Sequence, residues 1–225
     1  MDSALAGCYF ACPEVGRLSF GERCWRAMRT QIRSAFYLDK EGGLAMSPTR
    51  VMLIRHAEKP TLDVAGVAPN GTPDAESLTP RGWQRSGALV RFFNPVTPMP
   101  DTSPIATPGT VFAAGVGEGS KSQRSLQTVD ALAQSLQPLG VPFKTGYLKD
   151  DVDAMVQNVL GCQGVVLIAW EHKLIPSIVT VLSNNAITPA PWPGERFDMV
   201  WVLDAAGGEW TFNQVPQRLL PGDQP

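Results

Sequence analysis

Two unbroken apolar runs, VMLI at 51–54 and GVVLIAW at 164–170, constrain this chain more than any other feature. A strand with one wet face alternates apolar and polar residues, so a run without alternation marks a strand buried on both faces. Around these runs lie segments of helical character. LTPRGWQRSGALVRFF predicts a helix with Thr79 as N-cap, Pro80 in its first position, and an apolar face through Trp83, Leu89, Val90 and Phe93. TVFAAG predicts a strand, followed by a glycine-rich turn and a helix over 120–137 that Gly140 and Pro142 end. PFKTGYL predicts a further strand, DDVDAMVQNVL a helix stopped at Gly161, and KLIPSIVTVL another helix. FDMVWVLD and EWTFNQV pair as a hairpin across AAGG, and residues 60–77, 94–109 and 184–197 form loops. Strands alternating with helices give an α/β fold: a three-layer α/β/α sandwich with a mostly parallel central sheet.

A chain of 225 residues has room for one domain with a substantial core, here residues 49–225. Residues 1–48 have another character and read as an N-terminal extension, with Met46 as an alternative start. They hold Cys8, Cys12 and Cys24, while Arg23, Arg26, Arg29 and Arg33 recur at helical spacing and suggest a basic amphipathic helix over 20–38. A zinc site on those cysteines is disfavoured because no nearby histidine completes it. With Cys162 they read as reduced thiols of a cytoplasmic protein. A net charge of −2 argues against a nucleic-acid partner, and no apolar run is long enough to span a membrane. Oligomeric state stays open.

Chemistry enters with the histidines. The chain has two, His56 and His172, and each stands where a predicted strand gives way to polar residues: Arg55–His56 after one, Glu171–His172 after the other. In open α/β sheets ligands bind beyond the carboxyl ends of the strands. Histidine serves as nucleophile or acid–base group near neutral pH, and a neighbouring guanidinium offers a planar fork for phosphate oxygens. GVGEGSKSQRSLQT then leads through glycines into a helix N-terminus, where free amides attract anions, with Arg124 in its first turns. These residues together point to phosphoryl chemistry on an anionic substrate.

LIRHAEK resembles the RHG/RHxE signature of the histidine phosphatase superfamily, also called the phosphoglycerate mutase-like family. LTPRGWQRSGAL is similar to that family's LTxxGxxQA helix. SKSQRSLQT is similar to its SxxxRxxxT helix, with Ser120, Arg124 and Thr128 at the same spacing. A late strand ending at His172 matches the second histidine, and the motifs fall in the family's order over residues 50–215. Ala57 stands where many members have glycine, and WEHK replaces the HG or HD of other branches.

The resemblance implies a phosphoglycerate mutase-like fold and a metal-independent, cofactor-free phosphatase. His56 would attack phosphorus while Arg55, Arg124 and His172 hold the equatorial oxygens. The proton donor stays open between Asp151, Glu171, Glu118 and Asp150. A phosphorylated substrate, small molecule or protein, is the expected partner; the alternative is a non-catalytic relative that binds a phosphorylated ligand. Mutase activity is disfavoured because the short chain offers little cap. Substrate contacts are expected chiefly from residues 57–78 and 115–119. The first of these carries no run of cations, which disfavours highly phosphorylated substrates. Trp170 is a candidate for the pocket mouth, and Glu58 and Lys59 for pairing at its rim.

Overall fold

The computed structural model describes residues 37–38, 44–45 and 47–225. The cysteine cluster, the basic helix over 20–38 and Met46 lie outside the described residues. Two short antiparallel strands come first, β1 (Tyr37–Leu38) and β2 (Leu44–Ala45). β3 (Pro48–Arg55), α1 (Pro80–Phe93), β4 (Thr110–Ala113), α2 (Arg124–Leu136), β5 (Phe143–Lys144) and α3 (Val152–Leu160) follow. β6 (Gly164–Trp170), α4 (Ile175–Leu182), β7 (Met199–Ala206) and β8 (Glu209–Pro216) complete the order.

Six strands form one sheet in the order β5-β4-β6-β3-β7-β8. β3, β4, β5 and β6 run parallel, whereas β7 is antiparallel to both β3 and β8. β3 and β6, the two apolar runs of the sequence, lie side by side at the centre with Leu53 opposite Ile168 and Arg55 opposite Trp170.

Both faces are covered, which is why those runs do not alternate. On one face Val51, Leu53, Val166 and Ile168 pack with Met155, Val159, Ile178 and Val179 of α3 and α4. On the other, Met52, Ile54, Leu167 and Ala169 pack with Leu89, Phe93, Val129 and Leu132 of α1 and α2. The result is the expected α/β/α sandwich. Burying a side chain of this size contributes about 1.5–3 kcal/mol, so these two layers hold the sheet.

Several details depart from the sequence expectations. α2 begins at Arg124, because residues 117–120 close a turn in which Gly117 and Ser120 bond each other. β5 keeps only Phe143–Lys144 of PFKTGYL, since the chain leaves the edge of the sheet there. Trp83 is half-buried; its indole N–H donates to Val67 O, so it pins the 60–77 loop. The buried side of α1 runs instead through Gly82, Arg85, Ser86, Leu89 and Phe93. Loop 94–109 packs near Thr49, Arg50, Val165 and Asp204, at the edge opposite the carboxyl ends of β3 and β6, as expected.

Candidate active site

The carboxyl ends of the central strands meet at one edge of the sheet, and the chain changes character there. β3 ends at Arg55, and His56 follows it, its amide still donating to Trp170 O at 3.1 Å. Arg55 is 1% exposed; its Nη1 donates to Gly194 O, and its guanidinium lies over the Phe197 ring at 3.8 Å from the centroid. His56 is 6% exposed.

His56 Nδ1 lies 2.8 Å from Ala57 O. A carbonyl only accepts, so Nδ1 carries the hydrogen and Nε2 keeps its lone pair. Burial, together with the charges of Arg55 and Arg124 and with His172, pushes the His56 pKa from 6.5 down to about 3. The imidazole is therefore neutral and nucleophilic at pH 7. Thr128 fixes its backbone: Ala57 N–H donates to Thr128 Oγ1 at 2.7 Å, and that hydroxyl donates to Arg124 O at 2.7 Å. The spacing of Arg124 and Thr128 thus ties the helix to the loop that carries His56.

α1 approaches the same loop. Glu58 O lies 2.7 Å from where a Cβ on Gly82 would stand, so only glycine permits this contact. Glu58 itself turns away from the cleft and binds the buried Arg85, as an ion-paired residue rather than a ligand. Lys59 has no carboxylate within ion-pair distance among the described residues; it lines the cleft.

The cleft has a volume of about 420 Å³ and is lined by His56, Ser120, Arg124 and His172, among others. Arg124 Nη1 donates to Ala75 O at 2.9 Å and lies 3.7 Å from Glu76. Burial and the Arg55 charge push His172 from 6.5 down to about 4. Among the described residues, the buried polar side-chain atoms left without a partner are Arg55 Nε and Nη2, Arg124 Nε, His172 Nδ1 and Trp201 Nε1. Unpaired buried donors are rare because each costs about 1–3 kcal/mol. Here all but the tryptophan belong to residues that the sequence nominates as ligands of one anion.

The carboxylate candidates separate clearly. Glu171 lines the cleft: β6 ends at Trp170, and the Glu171 backbone carbonyl accepts from Leu174 N and Ile175 N in the following turn, so strand alternation does not govern its side chain. Asp151 sits at the base of α3, where Oδ2 accepts from Leu148 N at 2.8 Å. Asp150 is exposed beside Lys149 at 3.7 Å, and Glu118 is exposed in its turn; like Asp151, neither lines the cleft. Trp170 is fully buried, with Nε1 donating to Lys149 O, and so lies behind the cleft instead of at its mouth.

Sequence reasoning missed Glu76, Lys149 and the Phe197 cover. Gln127 brings Glu76 in: its side chain accepts from Leu78 N and donates to Ser77 Oγ, anchoring the end of the 60–77 loop on α2. The second Q of SQRSLQT, Gln127, is the local signal for this. Among the described residues, no group of three or more His, Cys, Asp or Glu side chains is arranged to hold a metal ion.

Both histidines are expected to titrate far below 6.5 in the free protein, His56 near 3 and His172 near 4. Between those values and 6.5 the unfolded chain binds protons that the folded one refuses, so stability present above 6.5 is lost as pH falls through this window. Proton NMR resolves the two rings separately; midpoints near 6.5 would contradict the buried, cation-flanked geometry.

No protein-family model and no curated protein matches the sequence. Similar solved structures include one named as a phosphohistidine phosphatase, SixA, from Agrobacterium tumefaciens, at 16% identity and TM-score 0.43, covering 74% of this chain and 97% of that one. A second is the protein histidine phosphatase SixA complexed with tungstate, at 18% identity and TM-score 0.44, covering 75% and 97%. A third is named as an alpha-ribazole-5'-P phosphatase from Escherichia coli, at 13% identity and TM-score 0.38, covering 75% and 96%. These are members of the histidine phosphatase superfamily, the family that the sequence motifs resemble. At such identities and TM-scores the likeness decides nothing about substrate or mechanism.

Proposed function

We propose that this protein is a metal-independent phosphatase that hydrolyses a phosphomonoester through a phosphohistidine on His56. One observation carries the reading: a neutral histidine with a fixed tautomer lines a cleft together with Arg124 and His172, each of which has a buried nitrogen without a partner, while Arg55, next to His56 but outside the cleft lining, has two more.

The steps follow from the groups present. The Nε2 lone pair of His56 attacks phosphorus, the P–O bond to the leaving group breaks, and the protein supplies mainly position and charge. Arg55, Arg124 and His172 hold the equatorial oxygens; Arg55 stays charged at pH 7 although burial lowers its pKa to about 10. Glu171 protonates the leaving oxygen, because among the four carboxylates considered from the sequence it alone lines the cleft. Its carboxylate then takes a proton from water as the water attacks the phosphohistidine. The P–N bond breaks, its electron pair returns to Nε2, and inorganic phosphate leaves. The reduced thiols read from the sequence favour the cytoplasm as the setting.

The direct test is turnover of p-nitrophenyl phosphate in EDTA, with vanadate or tungstate as inhibitor. Hydrolysis that survives EDTA and stops with the oxyanion supports the proposal, and failure across several phosphomonoesters at pH 5–8 sinks it. Glu171→Gln should separate leaving groups. Losing a general acid costs about 10²–10⁴-fold for an alkyl phosphate and little for nitrophenolate, which leaves without a proton. An equal loss on both would remove Glu171 from the role.

A further inference from the structure

The lysines of this chain are few and unevenly placed. Among the described residues they are Lys59, Lys121, Lys144, Lys149 and Lys173, and all except Lys144 line the cleft that holds His56. They arrive on four separate segments: the loop after β3, the turn before α2, the turn before α3 and the turn after β6. No run of sequence carries the cluster. The expectation that disfavoured highly phosphorylated substrates rested on the 57–78 loop alone; folding gathers cations from elsewhere.

The acids of the cleft do not neutralise them. Glu76 faces Arg124 at 3.7 Å and Glu171 faces Lys149 at 4.0 Å, so each lining carboxylate already has a cation. Lys59, Lys121 and Lys173 have no carboxylate within ion-pair distance among the described residues. The transferred phosphoryl group occupies Arg55, Arg124 and His172 in the mechanism above, which leaves these ammonium groups to the remainder of the substrate. In a protein of net charge −2, such a concentration of unmatched positive charge around one cleft focuses its field on anions.

We infer that the substrate is a small phosphomonoester carrying a second anionic group, phosphate or carboxylate, which Lys59, Lys121 and Lys173 receive at the mouth of the cleft. The inference rests on the phosphatase reading for the first phosphoryl group. A volume of about 420 Å³ favours a small molecule over a peptide strand.

The experiment compares propyl phosphate with 1,3-propanediol bisphosphate, which differ only in the second phosphate. Turnover and calorimetric binding are measured at low and high salt, for wild type and for the combined Lys59→Ala, Lys121→Ala, Lys173→Ala variant. The expected result is a kcat/KM preference for the bisphosphate of about 10- to 100-fold at low salt, shrinking as salt screens it and lost in the variant. Turnover of both compounds without preference, or a preference that the variant keeps, overturns the inference and leaves the phosphatase standing. Tighter binding of the bisphosphate without turnover of either compound upholds the second anion site and overturns the phosphatase. A phosphoserine peptide flanked by acidic residues, included as a third ligand, overturns the small-molecule assignment if it is preferred to the bisphosphate.

Discussion

His56→Ala should abolish turnover of every phosphomonoester the wild type accepts, by about 10⁴-fold or more, because it removes the atom to which phosphorus is transferred. The loss should appear in kcat with substrate binding largely kept. In the proposed mechanism Arg55, Arg124 and His172 supply the anion contacts, and none of them bonds the His56 side chain in the hydrogen-bond network. Arg124→Ala offers the contrast. It removes one oxyanion ligand, costs about 10²–10³-fold and weakens tungstate binding as well. A His56→Ala protein that retained a tenth of the activity would mean that another group attacks phosphorus.

Arg85→Ala should be the most damaging substitution for stability, at about 3–5 kcal/mol in urea unfolding. Arg85 is 2% exposed and bonds two carboxylates at once: Glu58 Oε1 at 2.8 Å and Asp223 Oδ1 at 2.7 Å, with Gln217 Oε1 at 3.1 Å. Removing it leaves the two acids with the longer bonds from the more exposed Arg81, at 3.2 Å to Glu58 and 3.4 Å to Asp223, and leaves Asp223 with the Leu219 and Leu220 amides. Burial pushes Asp223 up, but the bonds from Arg85 and from the Leu220 and Leu219 amides pull harder, to about 2. Stability from this pair is therefore complete above the ordinary aspartate range and is lost as pH falls through about 2. In Arg85→Ala that acid limb should move up toward pH 4, the ordinary aspartate value. A loss below about 1 kcal/mol would show that the cluster relaxes into water, as exposed pairs do. Because Glu58 lies two residues beyond His56, the variant should also be slower, a link from the end of the chain to the nucleophile.

What the sequence displays and what it hides follow from how each feature is encoded. The buried central strands were legible because full burial suppresses alternation in VMLI and GVVLIAW, and Thr79–Pro80 marked the start of α1 through capping chemistry that is local. The hairpin was legible for the same reason, its turn needing the positive φ of Gly207 and Gly208, at 64° and 90°. Arg55, His56, Arg124 and His172 stood out because each occupies a motif position or a strand end, and the structure gathers them at one sheet edge. Glu76, Lys149 and Phe197 carry no such mark. They reach the site through loop paths set by distant partners: Gln127 under the 60–77 loop, the Trp170 indole bond to Lys149 O, and the stacking of Trp192 on Trp201 at 4.8 Å. Spacing along a chain cannot report a path fixed from outside it. The carboxylate candidates show the same limit: Asp151 and Glu171 stand alike in sequence, and only the turn after β6 brings Glu171 to the cleft.

The most direct test of the central claim is to quench the protein during incubation with a ³²P-labelled phosphomonoester and locate the label. A phosphohistidine is stable in base and labile in acid, so the prediction is a base-stable, acid-labile phosphoryl group on the peptide containing His56, absent in His56→Ala. Turnover without any labelled protein under rapid quenching, or a label on a different residue, would contradict it.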